Sequence, residues 1–282
     1  MNLIFHLFRL KIIRPPQTHL FEDIASTPTD IIKSAIREKP SKEIRKGNDW
    51  HIGNIEDVGD NGLFFALGRV TKSIKEKYDE KTGDFIDIED EQAPYTYVFL
   101  DLEHQVCAIA HKPKISQKVT YAARNLAKLL AETEVAKASA LTFDIPELHD
   151  PSEFVEQVKN AFSIKEFSIS FSPPNPWDVE EDYHKPMENL LRASNGSTGS
   201  TKINGEQLDN DTIGQLASSA ASTGNKASAK IQVEENGPTV SKKLGGNPAT
   251  LSGAELITEE EKKTFLTKII EAYKSIRTGG SQ

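Results

Sequence analysis

The sequence has one cysteine, Cys107, among its 282 residues. A single thiol excludes both a framework of disulfides and a zinc site built from several cysteines. The chain also lacks an apolar run of the roughly 20 residues that a membrane-spanning helix needs. Its 34 basic residues are outnumbered by 42 acidic ones. The resulting net charge of −8 excludes a global positive field that would draw the protein to nucleic acid or to an anionic membrane.

The first fourteen residues lack the features of a secretory signal peptide. No basic segment precedes the apolar residues, Arg9 and Lys11 interrupt them, and two prolines follow where small residues would mark a cleavage site. Residues 2–13 instead predict a buried strand that the prolines end. Together with the free thiol, this pattern indicates a cytoplasmic protein.

Motifs for covalent or metal-dependent catalysis are also missing. The sequence has no G-x-S-x-G elbow, no H-E-x-x-H pair and no complete phosphate-binding loop, and its seven histidines are scattered. Cys107 lies within an apolar strand, where a thiol is buried and unreactive. We therefore predict a non-enzymatic protein without a metal or cofactor. A nuclease subunit with metal ligands among Asp84, Asp87 and Asp101 stays open as an alternative.

The first 135 residues follow the order strand, helix, strand, strand, strand, helix. Thr29–Asp30 is expected to cap the first helix, and the polar, glycine-containing residues 41–62 predict turns. Two apolar runs in residues 95–111 predict a hairpin, because a short turn separates them. Ser116 is expected to cap the next helix. This order predicts an α+β domain, residues 1–135, in which an antiparallel sheet carries helices on one face.

Residues 136–282 predict a second, smaller α+β domain. Residues 167–171 alternate apolar and polar side chains, as a half-buried strand does. Segment 193–230 is rich in serine, glycine and alanine, which predicts a flexible linker with a short helix at its centre. The last helix opens with a capping box, Thr258-x-x-Glu261. This amphipathic helix is expected either to dock on its own domain or to form a seam between copies.

Residues 75–92 are almost continuously charged. A carboxylate metal cluster is one interpretation of this stretch. However, the spacing of oxygen ligands and the tight-turn glycine of an EF-hand calcium loop are absent. We therefore predict a solvent-exposed hairpin tip or loop.

Charge is distributed unevenly along the chain, since residues 1–46 carry a net +4 and residues 47–101 a net −8. Arg69, Lys72 and Lys75 lie at the end of one predicted strand. Lys112, Lys114 and Lys118 lead from the predicted hairpin into the helix that follows Ser116. If that strand end and that helix start are neighbours, they form a basic patch of phosphate size, reinforced by the helix N-terminus. An ordinary solvated surface is the alternative. The predicted nucleic-acid-binding residues are Arg69, Lys72, Lys75, Lys112, Lys114, Lys118 and Arg124.

Several short motifs are similar to those of a known group of proteins. Phe5–Arg9 opens the chain, Phe167–Trp177 is an F-x-I-x-F strand that runs into P-N-P, and Ser194–Asn195 lies in a polar region. In these motifs and in its order of elements, the chain resembles RexA-like proteins, which are uncharacterised bacterial phage-defence proteins similar to a superinfection-exclusion sensor. The resemblance implies a cytoplasmic, oligomeric, non-enzymatic DNA-binding sensor or accessory subunit that works with a separate effector.

Two hypotheses follow from the sequence. The first is a phage-defence sensor or accessory subunit that binds nucleic acid, in the form of double-stranded DNA, through the local basic patch. The second is a protein–protein adaptor in a multi-component defence complex, whose partner is an effector protein from the same locus. The adaptor would use either the acidic segment Asp84–Glu91 or the C-terminal helix as its interface. Both hypotheses expect a homo-oligomer.

Overall fold

A computed structural model of the chain describes residues 2–13, 27–171, 184–194, 196, 198–253 and 258–278. The P-N-P motif and Asn195 lie outside these residues. The elements, in chain order, are β1 (Leu3–Arg9), β2 (Lys11–Ile13), α1 (Pro28–Arg37), β3 (Ser41–Arg45), β4 (Asn48–Val58), β5 (Gly62–Asp79), β6 (Asp84–Gln92), β7 (Tyr95–Asp101), β8 (Val106–Ala110), α2 (Val119–Leu130), α3 (Glu134–Ala138), β9 (Thr142–Asp144), α4 (Ser152–Lys159), β10 (Ser163–Phe171), α5 (His184–Ala193), β11 (Gly199–Asn204), α6 (Asn210–Ser222), β12 (Ala227–Gln232), β13 (Thr239–Lys243), β14 (Thr250–Gly253) and α7 (Glu259–Thr278).

The larger sheet is antiparallel and has eight strands. Its strand order is β14-β1-β8-β7-β5-β4-β3, and β6 pairs with the C-terminal half of β5. The predicted hairpin is confirmed as β7 and β8, in which Val98 pairs with Ile109. The strands β3 and β4 were missed, because their residues 41–58 are largely polar and only partly buried. The mixed α+β class is confirmed.

Helices cover both faces of this sheet. On one face, α1, α2 and α3 pack over apolar residues that include Phe65 and Leu100. On the other face, the Phe265 ring of α7 lies 4.7 Å from that of Phe5 and 5.2 Å from that of Phe99. The prediction of helices on one face accounts for α1, α2 and α3 only. A second helical layer forms because the strands alternate apolar side chains to both faces.

The C-terminal elements complete the larger sheet. Strand β14 pairs with β1, where Phe5 lies opposite Leu251, and α7 packs on β7 and β8. Helix α7 approaches the sheet closely at Gly62, where a Cβ atom would lie 2.3 Å from Cδ2 of Leu266. The amphipathic helix therefore docks on a sheet built mainly from residues before 135. None of the described helices is both long and apolar enough to span a bilayer.

The smaller sheet is also antiparallel, with the strand order β11-β10-β12-β13. Helices α4 and α6 cover one of its faces. Much of segment 193–230 is ordered in β11, α6 and β12, so the prediction of a flexible linker was wrong. Buried alanines such as Ala217 and Ala220 pack α6 against its neighbours. Two of its buried serines, Ser218 and Ser222, donate their hydroxyls to carbonyls of the same helix; Ser218 Oγ donates to the carbonyl of Gly214 at 3.0 Å.

Helices α1 and α2 do not have the N-caps that were predicted at Thr29–Asp30 and at Ser116. Thr27 caps α1, and its capping-box partner is Asp30. Helix α2 begins after Lys118 without a side-chain cap, because the Ser116 hydroxyl instead donates to the carbonyl of Lys118 at 2.8 Å. The capping box at Thr258 is confirmed by the hydrogen bond between its backbone N–H and Oε2 of Glu261, at 2.9 Å.

Candidate nucleic-acid interface

Arg69 lies where β5 leaves the larger sheet. Strand β5 pairs with β7 as far as Gly68 and then with β6 from Thr71 onward. The backbones approach closely where β5 changes its partner strand, since a Cβ atom on Gly68 would lie 3.2 Å from the carbonyl oxygen of Pro94. The Arg69 backbone N–H donates to this same oxygen at 3.0 Å. This hydrogen bond therefore fixes the backbone position of Arg69 and the start of its side chain.

The Arg69 side chain links the strand end to the start of α2. Its Nη1 donates to Oδ1 of Asn48 at 3.3 Å, and its Nη2 donates to the backbone carbonyl of Lys114 at 3.3 Å. Its Nε is buried and has no hydrogen-bond partner among the described residues. The strand end and the helix start are thus neighbours, as the predicted patch requires.

The segment that Arg69 contacts is entirely free of acidic side chains. Residues 104–131 contain five basic residues and no aspartate or glutamate. Lys114 and Lys118 are exposed in the loop that leads into α2. Lys118 is the N-cap residue, and the first turn of the helix contains no acidic residue. The partial positive charge of the helix N-terminus therefore adds to that of the lysines.

The exposed side of α2 continues the positive charge. Arg124 and Lys128 are exposed there, and the Arg124 guanidinium lies 5.7 Å from the centre of the Tyr121 ring. At 1.5 Å per residue, the stretch from Lys118 to Lys128 is about 15 Å long. A duplex presents about nine phosphate charges over that length. We call Arg69, Lys114, Lys118, Arg124 and Lys128 the basic surface.

Lys112 lies apart from this surface. Its Nζ is 4.0 Å from the centre of the Tyr97 ring and 5.0 Å from that of Tyr95. Tyr97 packs against the core beneath α7, so Lys112 is on the opposite side of the sheet from α2. This lysine can contact a duplex only if the ligand reaches around the strand ends.

Lys72 and Lys75 extend in a different direction, on the hairpin formed by β6 and the far half of β5. We call residues 71–92, with their tip, the acidic arm. The arm carries eight carboxylates and four lysines, a net charge of −4. Lys75 Nζ forms an ion pair with Asp90 at 2.6 Å, which lowers the pKa of that carboxyl. Lys72 pairs across the strands with Glu91. The structure therefore places these two predicted residues in an acidic environment.

The acidic arm is exposed over most of its length. Its nine cross-strand pairs run from Thr71–Gln92 to Asp79–Asp84, so the prediction of an exposed hairpin is confirmed for this stretch. The aromatic rings of Tyr78 and Phe85 contact each other near the tip, with centroids 5.2 Å apart. The length of this arm was not predicted, because its many charged residues obscure the alternation of apolar and polar side chains that is typical of a strand.

The carboxylates of the nuclease alternative are not brought together. Asp101 pairs with Gly62, and Asp84 pairs with Asp79 on the same strand, β5. These two positions on β5 are 17 residues apart, or roughly 55 Å in an extended strand. Asp101 is also buried and accepts a hydrogen bond from the His104 backbone N–H at 2.7 Å. A metal ion cannot bind both carboxylates.

Cys107 is fully buried in β8. Burial raises the pKa of its thiol to about 12, so the reactive thiolate does not form near neutral pH. Among the residues that the structure describes, no three histidine, cysteine, aspartate or glutamate side chains are placed to hold a metal ion.

The family model for a domain of unknown function, DUF4747, matches residues 27–244. The match covers more than three quarters of the chain and includes residues of both sheets. It also includes the acidic arm and the whole basic surface. No curated protein matches the chain.

Proposed function

The chain belongs to the DUF4747 family, and we propose that it is a non-enzymatic subunit that binds double-stranded nucleic acid through its basic surface. The separation of charge is the observation that carries this proposal. Five basic and no acidic residues occupy segment 104–131, and Arg69 ties this segment to the end of β5. The acidic side chains of the neighbouring region are concentrated on the arm.

The overall charge of −8 does not oppose such binding. At physiological ionic strength, exposed charges interact over a Debye length of about 8 Å. A nucleic-acid phosphate bound next to α2 therefore interacts mainly with the cations of the basic surface, and distant carboxylates have little effect on it. Lys114, Lys118, Arg124 and Lys128 form no ion pair with a carboxylate in the described parts of the chain, which leaves their charges available to phosphates.

The proposed cellular role comes from the sequence resemblance to RexA-like proteins. On that basis, the protein is a cytoplasmic sensor or accessory subunit of a phage-defence system, acts as a homo-oligomer, and passes its signal to a separate effector. The charge separation supports the nucleic-acid contact, whereas the motif resemblance supports the defence role.

The test is a titration with a short duplex at low salt. Substitution of Lys112, Lys114 and Lys118 by glutamate removes two cations at the start of α2 and one from the other side of the sheet, and should weaken binding at least tenfold. A matched variant carries glutamate at Lys226, Lys243 and Lys274, which are exposed elsewhere. It has the same net charge and should keep most of its affinity. A folded triple variant at 112, 114 and 118 that binds as tightly as the unmodified protein would contradict the proposal.

The adaptor function is a second candidate, and one observation favours it. The acidic arm exposes large apolar side chains, including 83% of Phe85, as protein-binding surfaces do. The other predicted interface, the C-terminal helix, is not available, because Phe265, Ile269 and Tyr273 of α7 are buried against the sheet. Association with a neighbouring gene product that salt does not weaken, together with no DNA retention at about 50 mM salt, would favour the adaptor.

A further inference from the structure

The acidic arm carries an apolar stripe on one of its faces. Tyr78 pairs with Phe85, and Ile74 lies four residues earlier on the same face of β5. The exposed fractions are 50% for Tyr78, 83% for Phe85 and 71% for Ile74. These side chains form an apolar strip that the charged pair Glu76–Asp87 interrupts, along a strand pair that no other described element covers. Such a strip is typical of an interaction surface.

The arm also has little to stabilise it by itself. A single two-stranded hairpin is marginally stable in water at best. Like charges lie directly opposite each other at Glu76–Asp87 and at Asp79–Asp84, and such pairs destabilise a strand pair. An arm that remains extended under these conditions gains stability when its apolar strip is covered.

The charge around the strip defines what can cover it. On the face with Phe85 lie Asp87, Glu89 and Glu91, since residues two apart share a face. A second arm cannot pack against this face, because both would present the same negative charge. The covering surface has to be basic and to offer aromatic or apolar contact.

The basic surface of this same chain has both properties. Its lysines and Arg124 surround Tyr121, which is 49% exposed and lies against the Arg124 guanidinium. The tip of the arm, which carries Tyr78 and Phe85, cannot reach the basic surface of its own molecule. Strand β5 continues without a break from Gly62 to Asp79, and its last nine residues carry the tip about 30 Å from Arg69.

We propose that two copies of the chain associate by exchanging acidic arms, so that each arm lies on the basic surface of the other copy. Two arms that run side by side in opposite directions bring each tip to the other copy's strand ends. The contact is the same in both directions and closes with two-fold symmetry. It covers Phe85 and pairs the arm's carboxylates with lysines. The proposal does not depend on nucleic-acid binding, although both use the basic surface and therefore compete.

Charge-reversal variants of the two surfaces test this arrangement. Light scattering after gel filtration measures the molar mass of each variant and of their mixture. One variant has lysine at Asp84 and Asp87, which lie next to Phe85 near the tip of the arm, and the other has glutamate at Lys118 and Lys128 of the basic surface. The unmodified protein should elute at twice its mass of 31.2 kDa, and each variant alone as a monomer. An equimolar mixture should return to the dimer mass, because each reversed surface meets its complement in the other variant.

A second pair of variants tests the apolar contact. Phe85→Ser should shift the protein to the monomer mass. Val233→Ser removes an apolar side chain that is 60% exposed at the end of β12 and should leave the dimer intact. Circular dichroism establishes that each variant is folded. A monomeric unmodified protein, a dimer that survives Phe85→Ser, or a charge-exchanged mixture that stays monomeric would each overturn the proposal.

Discussion

The salt dependence of duplex binding follows from the number of available cations on the basic surface. Arg69 is held by Asn48 and by the Lys114 carbonyl, which leaves Lys114, Lys118, Arg124 and Lys128 to contact phosphates. Four contacts give a slope of log K against log salt of about −3.6. Affinity should therefore fall roughly 150-fold between 50 and 200 mM salt.

Glutamate at Lys114 and Lys118 leaves two of these contacts. The slope should then be about −1.8, which corresponds to a loss of roughly 12-fold over the same salt range. Fluorescence anisotropy of a labelled duplex of about 20 base pairs, titrated at several salt concentrations, measures both slopes. The control has glutamate at Lys226 and Lys243 and should keep the slope of the unmodified protein.

Two results would refute this reasoning. A slope near zero for the unmodified protein would show that phosphate contacts do not drive binding. An equal change of slope in the variant and in the control would show that net charge matters and that the position of the lysines does not.

Two further predictions concern the core. Cys107 should not react with Ellman's reagent at pH 8 in the folded protein, because burial raises its pKa to about 12; it should react fully in guanidinium chloride, and fast reaction of the folded protein would contradict this burial. Tyr273→Phe should lower the free energy of unfolding in urea by about 2 kcal/mol, since the Tyr273 hydroxyl accepts a hydrogen bond from Nη1 of buried Arg9 at 3.1 Å. A change below about 0.5 kcal/mol would show that this hydrogen bond has little net effect.

Elements with strong local signals could be predicted from the sequence. The β7–β8 hairpin has two apolar runs around a short turn, and α7 has a capping box before an apolar stripe. Strands β3 and β4 lack such a signal, because many of their side chains are exposed. A short helix at the centre of segment 193–230 was predicted and is present as the first part of α6. The rest of α6 was missed because serine and alanine are as common in linkers as in a closely packed helix.

The candidate site was predictable in part. Lys114 and Lys118 precede an amphipathic helix, and the sequence also contains a basic strand end, but only the structure shows that the two are neighbours. The sequence could not show that β5 continues past Arg69 into an arm, which removes Lys72 and Lys75 from the surface. Tyr121 was also missed, although its position three residues after Lys118 places it on the polar side of α2.

The position of α7 has a consequence for the order of folding during synthesis. The sheet face that contains Phe5, Phe64 and Phe99 is covered by a helix of residues 259–278, which the ribosome makes after all the strands of that sheet. Until that helix emerges, the nascent chain presents an aromatic surface to the cell. Chaperones that bind apolar segments are therefore needed most before this helix emerges, and a ribosome that stalls before residue 259 leaves a sheet prone to aggregation.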